Sequence, residues 1–393
     1  MVKAMSETQA KILVVDDEPR NIKLLEAFLI ASGHQVISAP NGEEALQQVQ
    51  QELPDLVLLD VMMPMMGGYE VLKHLKADGR WRDLPVIMVS ALDDIKSVVK
   101  CIERGAVDYL PKPFDPVLLR ARVSSCLEKK RLRDQAKEYS DLLERELRAA
   151  RDIQMSMVPT IFPPPEPTRP VEIYATLQPA HQVGGDLYDF FYTDEGQLCF
   201  LIGDVSDKGA PAALFMARTK TLIRLVGTLL PASDGRPLTP DQIMAMVNAE
   251  LCLDNSMKMF VTLFLGVLDP MSGALQCCNA GHLFPYVLGQ NGIEPLETAR
   301  GKPLGISTSF GYDSSGWSLS TGDCLFLYTD GITEAMDSEG KLFAKERLEE
   351  ALQTVVGEDP SKIIAGVTEK MREFTDGALQ SDDIAAMAIR YST

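Results

Sequence analysis

The sequence predicts an α/β protein with more than one domain, and three observations support this prediction. The chain has 393 residues, which exceeds the usual size of a single domain. In its first third, short apolar segments alternate with amphipathic segments of helical period, as in a doubly wound parallel sheet. A charged stretch without Gly or Pro then predicts a long helix, and β-type segments open the remainder.

Composition and charge narrow the class of function. The chain is 46% hydrophobic and its formal net charge is −18, which opposes non-specific binding to nucleic acid or anionic membranes. No apolar run is long enough to span a bilayer, and the N-terminal residues lack the apolar core of a signal peptide. Seven cysteines without CxxC spacing indicate free thiols in a reducing compartment. We therefore expect a cytoplasmic protein without nucleic-acid or membrane partners.

The first third of the chain predicts five strands, each followed by a helix. The strands are expected at KILVV, QVISA, DLVLLD, PVIMVSA and DYLPKP. The first helix is expected through Leu24, Leu25, Phe28 and Leu29 and ends at Gly33. The others are expected from about Glu43, near GYEVLKHLKA, near DIKSVVKCIERG and from Pro116. In such a sheet, ligands bind at the carboxyl ends of the strands.

Those strand ends carry a compact set of polar residues. Asp16 and Asp17 follow the first predicted strand, and Asp60 ends the third. Ser90 and Lys112 fall at the ends of the fourth and fifth strands. Three acids at one sheet edge repel one another, and a divalent cation would relieve that repulsion. The pattern therefore predicts a site for a divalent cation.

These residues, in this order, resemble the receiver domain of two-component response regulators, a flavodoxin-like (βα)5 fold, over residues 9 to about 128. The resemblance implies that Asp60 accepts a phosphoryl group from a histidine kinase. It implies an Mg²⁺ ion held by Asp16, Asp17, Asp60 and the carbonyl of Met62. It also implies that Lys112 pairs with the phosphoryl group, that Ser90 hydrogen-bonds it and that Tyr109 is the aromatic switch. The resemblance further implies a cis Lys112–Pro113 peptide bond, which the amide preceding a proline can adopt.

The middle of the chain predicts a single long helix. Neither Gly nor Pro occurs from Leu118 until Pro159, and a helix of this length extends about 60 Å. An apolar stripe with a broken 3/4 spacing runs along it, interrupted by Glu146. Its members are Leu132, Ala136, Tyr139, Leu143, Ala150, Ile153 and Met157. Such a stripe needs a partner, so we expect a coiled coil and a parallel homodimer, with a solvated helical spacer as the alternative.

The C-terminal part opens with a predicted hairpin, LYDFFYTDEGQLCFLIGDV, whose turn is centred near Glu195. Asp186 and Asp204 are each nine residues from that centre and therefore face each other. Directly opposed carboxylates destabilise a sheet, whereas a bound cation reverses the effect. Asp189 is an odd number of residues from Asp186, so we expect it on the other face with a structural role.

Further acids follow two other predicted strand ends. Asp330 lies in LYTDGITEA, and Asp382 and Asp383 precede the terminal strand in QSDDIAAMAI. A set of carboxylates without His or Cys suits Mg²⁺ or Mn²⁺ rather than zinc. Two such ions can lower the pKa of a bridging water and bind a phosphoryl oxygen.

Seven motifs from about residue 145 to the end resemble the SpoIIE/RsbU-type branch of the PPM family of metal-dependent Ser/Thr protein phosphatases. They are PAHQVGGDLYDFF, GDVSDKGAPAALFMA, MFVTLFLGVLD, NAGHLFPYVL, GKPLGI, LYTDGITEA and SDDIAAMAI. The resemblance implies a β-sandwich flanked by helices and two Mn²⁺ or Mg²⁺ ions. It implies metal binding by Asp186, Asp204, the carbonyl of Val205, Asp330 and Asp382, with Asp383 less favoured. His282 in AGH is expected to be structural.

We therefore expect a receiver at residues 1–128, a coiled-coil linker at 129–160 and a phosphatase at 161–393. Phosphorylation of Asp60 would control dephosphorylation of a partner, which the resemblance implies is a STAS-type anti-anti-sigma protein. The alternative is a non-catalytic, phosphatase-like adaptor that binds a sigma-factor regulator or delivers a sigma factor to a protease. Loss of the metal carboxylates would favour the adaptor, but all of them are present. A DNA-binding output is disfavoured by the acidic balance and the lack of a helix-turn-helix pattern.

Overall fold

The computed structural model describes residues 9–91, 99, 101–229, 237–290 and 292–392. The chain forms two compact units that divide between Leu143 and Glu144.

The N-terminal unit is built on a parallel sheet with the strand order β2-β1-β3-β4-β5. Its strands are β1 Lys11–Val15, β2 Gln35–Ala39, β3 Leu56–Asp60, β4 Val86–Ser90 and β5 Asp108–Pro111. Its helices are α1 Pro19–Ala31, α2 Gly42–Glu52, α3 Gly68–Ala77 and the beginning of α4 Pro116–Met157. The helix predicted near DIKSVVKCIERG lies largely outside the described residues.

Helices cover both faces of this sheet. Apolar residues of α2 and α3 pack against one face, and those of α1 and the start of α4 against the other. Every residue of β3 and β4 is buried, which explains their nearly continuous apolar sequences. The doubly wound parallel sheet predicted from the sequence is confirmed.

Helix α4 continues for 42 residues. The Asp115 carboxylate caps its beginning by accepting hydrogen bonds from the Val117 and Leu118 amides at 2.7 and 3.0 Å. Beyond Cys126 most of its residues are exposed, including Leu132 and Tyr139 of the apolar stripe. The long helix is confirmed, while the parallel dimer through it stays a prediction.

The C-terminal unit contains two five-stranded sheets, ordered β13-β10-β9-β8-β7 and β12-β11-β14-β15-β6. The strands are β6 Val171–Gln178, β7 Leu187–Tyr192, β8 Leu198–Val205, β9 Val261–Leu268, β10 Ala274–Ala280, β11 Tyr286–Gly289, β12 Gly292–Pro295, β13 Ser315–Ser318, β14 Cys324–Tyr328 and β15 Ile384–Tyr391. The helices are α5 Ala210–Leu229, α6 Pro240–Cys252, α7 Asp330–Thr333, α8 Ala344–Thr354 and α9 Pro360–Thr375.

The two sheets form a sandwich. Phe200 and Phe264 of one sheet share a buried cluster with Leu327 and Met387 of the other. On the outer faces, α5 and α6 pack against the first sheet, and α8 and α9 against the second. A β-sandwich flanked by helices, as expected, is confirmed. Across the described ranges, no helix combines the length and apolar character needed to cross a bilayer.

Candidate functional sites

The first site lies at the carboxyl edge of the parallel sheet. Asp60 is the last residue of β3, and Asp16 follows β1 directly. Carboxylate oxygens of Asp16, Asp17 and Asp60 lie within 4.8 Å of one another. Asp16 and Asp60 are buried, whereas Asp17 is exposed. The fold thus brings together the three acids that the sequence pointed to, with one of them open to solvent.

Lys112 provides a positive charge inside this site. Its Nζ lies 2.7 Å from Asp16 Oδ2 and 2.8 Å from Asp60 Oδ2. Burial raises the pKa of Asp60, and the hydrogen bond from Lys112 offsets this only in part. Burial alone would lower the pKa of Lys112, but its bonds to the two carboxylates outweigh burial and raise it. One cation among three acids leaves a net negative charge, which fits an oxygen-ligated Mg²⁺ ion.

The other expected receiver residues lie at the same edge. The Met62 amide N lies 3.5 Å from Asp60 Oδ1. Ser90 is the buried last residue of β4, and the Tyr109 hydroxyl donates a hydrogen bond of 3.3 Å to its carbonyl oxygen. The Lys112–Pro113 peptide bond is cis, as predicted. Their roles in phosphoryl chemistry stay predictions.

The second site begins at the hairpin formed by β7 and β8. Leu187 pairs with Gly203 in this hairpin, so the same register places Asp186 opposite Asp204. This confirms the pairing predicted from the position of the turn. The negative charge of Asp204 acts on Asp186 across this pair. Asp330, at the start of α7, and Asp382, just before β15, contribute charge to the same region.

Burial and mutual repulsion perturb these acids. Burial, followed by the charge of Asp204, raises the pKa of Asp186 well above its ordinary value. Burial, followed by the charges of Asp330 and Asp382, raises the pKa of Asp204 to about 7. The pKa of Asp330 is also raised, chiefly by burial. These side chains are all carboxylates and repel one another, which fits divalent cations such as Mg²⁺ or Mn²⁺.

Lys208 stands at the rim of this cluster. Its Nζ lies 2.9 Å from Asp382 Oδ2, and both side chains are partly exposed to solvent. Beside it, the Ser206 hydroxyl accepts a hydrogen bond of 3.0 Å from the Phe260 amide. Ser206 therefore secures the turn after β8.

Thr329 is a site residue that the sequence reasoning missed. Its side chain is fully buried, and its hydroxyl donates a hydrogen bond of 2.6 Å to Asp186 Oδ2. The same hydroxyl accepts a bond of 2.8 Å from the Ala385 amide, which fixes its orientation. Its place directly before Asp330 in LYTDG was the available signal.

The two adjacent acids Asp382 and Asp383 have different surroundings. Asp383 is buried, and its two carboxylate oxygens accept bonds of 2.7 Å from the amides of Ala180 and Gly185. Asp382 is half-buried and faces Lys208. The Asp383 carboxylate is thus engaged in holding main chain, and this favours Asp382 as the metal ligand.

Two glycines allow the main chain to approach Asp383. A Cβ on Gly184 would overlap the Asp383 carboxylate, and a Cβ on Gly331 would overlap the Asp383 carbonyl oxygen. A Cβ on Gly185 would lie 2.8 Å from the carbonyl oxygen of Val205, the proposed main-chain ligand. Any side chain at these positions would push apart the segments that carry Asp186, Val205 and Asp330.

Asp189 belongs to a different environment. It is fully buried on the opposite face of β7, where its carboxylate lies 2.8 Å from Lys220 Nζ and 2.6 Å from Arg224 Nη2, both on α5. The structure thus places Asp186 and Asp189 in separate environments, as predicted, and the role of Asp186 as a metal ligand stays a prediction.

His282 is also engaged in structural contacts. Its Nε2 lies 3.1 Å from the Tyr328 carbonyl oxygen, which can only accept, so Nε2 carries the proton. Nδ1 then accepts a hydrogen bond of 3.0 Å from the Thr262 hydroxyl. Burial lowers the pKa of His282 to about 4, so the ring is neutral at pH 7. These contacts agree with the structural role expected for it.

Two family profiles match the chain. The profile described as Stage II sporulation protein E (SpoIIE) matches residues 194–392, and that of the response regulator receiver domain matches residues 12–124.

Protein IcfG of Synechocystis sp. is 30% identical over 275 residues, or 65% of this chain and 43% of that protein. Response regulator PleD of Caulobacter vibrioides is 44% identical over 129 residues, or 33% of this chain and 28% of that protein. The chain thus spans less than half the length of these curated relatives.

A solved structure shares the C-terminal fold. The SiaA-PP2C domain of Pseudomonas aeruginosa matches with a TM-score of 0.55 at 18% identity, covering 65% of this chain and 99% of that one. At this identity the match establishes a common fold.

Proposed function

Because this chain belongs to the SpoIIE family and joins a receiver domain to a PP2C-type phosphatase domain, we propose that it is a two-component response regulator whose output is a protein serine/threonine phosphatase. The observation that carries this proposal is the opposition of Asp186 and Asp204 across the hairpin, with Asp330 and Asp382 contributing charge to the same region. Burial and mutual repulsion raise the pKa values of Asp186 and Asp204. An adaptor without catalysis has no need to maintain so costly a cluster.

The acidic cluster is proposed to hold two Mn²⁺ or Mg²⁺ ions, with Asp186, Asp204, Asp330, Asp382 and the Val205 carbonyl as ligands. When bound, such ions lower the pKa of water and withdraw charge from a phosphoryl oxygen. The surrounding residues maintain the ligand geometry. Thr329 orients the Asp186 carboxylate, and Asp383 holds the main chain on either side of Gly184.

Lys208 is placed to attract the anionic phosphoryl group of a phosphoserine or phosphothreonine, because its ammonium group is partly exposed at the rim of the cluster. His282 does not supply a proton to the departing hydroxyl group. Both of its ring nitrogens are engaged, and its pKa of about 4 leaves it unprotonated. We therefore propose that water or the bound metal ions, and not a histidine, would serve the leaving group.

The receiver is proposed to accept a phosphoryl group from a histidine kinase on Asp60, with an Mg²⁺ ion held by Asp16, Asp17, Asp60 and the Met62 carbonyl. Lys112 supports this role because its Nζ already bridges Asp16 and Asp60. An incoming phosphoryl group would take over one of these contacts. Ser90, at the end of β4, is proposed to hydrogen-bond the phosphoryl group, and Tyr109, within β5, to act as the aromatic switch.

Two partners complete the proposal. The substrate is proposed to be a phosphorylated STAS-type anti-anti-sigma protein, a class implied by the resemblance to SpoIIE/RsbU-type phosphatases. A second copy of the chain is proposed to pair along α4, where Leu132, Tyr139 and Ile153 are 55%, 70% and 60% exposed. Burying these side chains in a coiled coil would remove apolar surface from water.

Catalysis is tested by phosphate release from a phosphoserine-bearing STAS protein with Mn²⁺, using wild type and Asp204→Ala. We expect Asp204→Ala to lose at least about 100-fold in kcat/KM, because the loss of a metal ligand removes charge stabilisation from the transition state. Asp194→Ala is the matched control, since Asp194 is an exposed acid in the turn of the same hairpin. Equal activity in wild type and Asp204→Ala would reject this catalytic centre and favour the adaptor.

Regulation is tested by measuring activity and oligomeric mass with and without beryllofluoride, a phosphoryl mimic for Asp60. We expect both quantities to change in wild type and neither to change in Asp60→Asn. If beryllofluoride alters neither quantity in wild type, the proposed control by the receiver is wrong, whatever the outcome for Asp204.

A further inference from the structure

Gln154, near the end of α4, is almost fully buried, with 4% of its surface exposed. Its amide forms two hydrogen bonds with the main chain of one residue, Gly184. Nε2 donates to the Gly184 carbonyl oxygen at 2.6 Å, and Oε1 accepts from the Gly184 amide at 3.1 Å. A side-chain amide is the group that can donate and accept in this way at once. Buried bonds of this kind are costly to break, because each leaves a polar group without solvent.

Gly184 lies two residues before the proposed metal ligand Asp186. On its other side, this segment is held by Asp383, which accepts hydrogen bonds from the amides of Ala180 and Gly185. The segment is therefore fixed from two directions, by Gln154 and by Asp383. A displacement of Gly184 would move Asp186 away from the hydroxyl of Thr329 and from Asp204.

Helix α4 does not pack tightly on this segment along its whole length. Leu147 and Arg151 of α4 line an open cleft of about 490 Å³ whose other wall includes the loop from Pro179 to Val183. Gln154 thus makes a specific polar attachment close to a cleft that separates α4 from this loop. A rotation or axial shift of α4 would act on the segment at Gly184 through these two hydrogen bonds.

We propose that Gln154 is a positioning residue that sets the metal affinity of the phosphatase site through Gly184 and Asp186, and that conveys changes in α4 to that site. This inference rests on the proposed function, since it takes Asp186 as a metal ligand. It identifies the contact through which the helix shared by the two units reaches the catalytic cluster. Loss of an interaction that orients a metal ligand typically lowers metal affinity by about 10–100-fold.

The first test measures Mn²⁺ binding to the full-length chain by electron paramagnetic resonance, without substrate. We expect Gln154→Leu to raise the Kd for Mn²⁺ by about 10–100-fold. Gln154→Glu should give a smaller increase, since it keeps the acceptor for the Gly184 amide and loses the donor. Gln135→Leu is the matched control, because Gln135 is exposed on the same helix. Its Kd should equal that of wild type.

Activity assays distinguish positioning from a general structural role. If Gln154 acts through the metal, high Mn²⁺ should restore most of kcat to Gln154→Leu, with the KM for substrate unchanged. An unchanged Kd for Mn²⁺, or lost activity that Mn²⁺ does not restore, would overturn the proposal. If Gln154→Leu does not fold, as judged by thermal unfolding, Gln154→Glu decides by the same criteria. If the wild type binds Mn²⁺ but does not hydrolyse phosphoserine, the phosphatase proposal is wrong. The comparison of Mn²⁺ affinities between wild type and Gln154→Leu still tests the role of Gln154.

The second test addresses signal transfer. We expect beryllofluoride on Asp60 to shift the Kd for Mn²⁺ of wild type, and to leave that of Gln154→Leu unchanged. A shift of equal size in both proteins, or in neither, would overturn the role of Gln154 in conveying the state of α4.

Discussion

The two acidic sites of this chain manage repulsion between carboxylates in different ways. In the N-terminal unit, Lys112 lies between Asp16 and Asp60 and contacts both. In the C-terminal unit, Lys208 reaches Asp382 at the rim, and no cationic side chain within the described residues forms an ion pair with Asp186 or Asp204. The first site thus carries an internal cation that offsets part of its negative charge. The second has no such internal cation, so we expect its stability to depend on bound metal ions.

The largest expected effect comes from exchanging each lysine for methionine. Lys112→Met leaves two buried carboxylates without their partner, and we expect the unfolding free energy of the N-terminal unit to fall by about 3 kcal/mol. Lys208→Met removes a partly exposed pair, and the C-terminal unit should lose less than about 1 kcal/mol. Urea unfolding in EDTA measures both values.

Each unit can be followed separately, because the chain has two tryptophans, Trp81 and Trp317. In Trp317→Phe the remaining Trp81 reports on the N-terminal unit. In Trp81→Phe the remaining Trp317 reports on the C-terminal unit. Equal losses from the two lysine substitutions would contradict the distinction between an internal and a peripheral cation.

The second prediction compares two acids of the same hairpin. Asp189→Asn deprives Lys220 and Arg224 of their buried anion, so we expect the C-terminal unit to lose about 3 kcal/mol. Asp204→Asn removes a charge that burial and neighbouring acids disfavour, so the metal-free unit should gain about 2 kcal/mol at pH 8.

The signs follow from the pKa of Asp204. Its folded value of about 7 exceeds the ordinary 3.8, so its ionisation costs stability as the pH rises from about 4 to 7. Asp204→Asn removes that cost and should also abolish stabilisation by Mn²⁺. If Asp204→Asn instead destabilises the unit in EDTA, other contacts must already offset the repulsion between the carboxylates when no metal is bound.

His282 adds a pH dependence of the opposite sign to the C-terminal unit. The pKa of His282 in the folded protein, about 4, lies below the ordinary 6.5. The neutral ring therefore contributes fully to the free energy of unfolding above pH 6.5, and this contribution is lost as the pH falls toward 4. Between pH 8 and pH 5, wild type should lose about 2 kcal/mol more than His282→Gln. Urea unfolding of both proteins in EDTA measures this difference, because the acids contribute equally to the two pH profiles and cancel. Parallel pH profiles for the two proteins would contradict a buried neutral imidazole.

The comparison also separates what the sequence could predict from what it could not. The acids of the first site were predictable because parallel strands place their carboxyl ends at one edge, so Asp16 and Asp60 had to meet. The opposition of Asp186 and Asp204 followed from the position of a turn, and the separate role of Asp189 from the alternation of side chains along a strand. Each of these inferences needed only local geometry.

Thr329 and Gln154 escaped prediction because their roles depend on contacts between distant segments. Thr329 is separated from Asp186 by 143 residues, and Gln154 from Gly184 by 30. A lone threonine before an acid, or a glutamine in a charged helix, has no periodicity that distinguishes it from its neighbours. The choice between Asp382 and Asp383 also depends on the fold, since it rests on which carboxylate meets the amides of Ala180 and Gly185.

The smallest predicted effect concerns competition between an internal lysine and a metal ion. Lys112 and Mg²⁺ are attracted by the same carboxylates, so Lys112→Met should tighten Mg²⁺ binding to the N-terminal unit by about tenfold, or about 1.4 kcal/mol. Lys208→Met should alter Mn²⁺ affinity of the C-terminal unit by less than about threefold, because Lys208 contacts Asp382 alone among the proposed ligands. Fluorescence titration of the single-tryptophan proteins measures both affinities. Weaker Mg²⁺ binding in Lys112→Met would mean that Lys112 mainly positions the carboxylates for the ion and competes with the ion less. The two sites would then differ in the geometry of their carboxylates and not in how their charge is compensated.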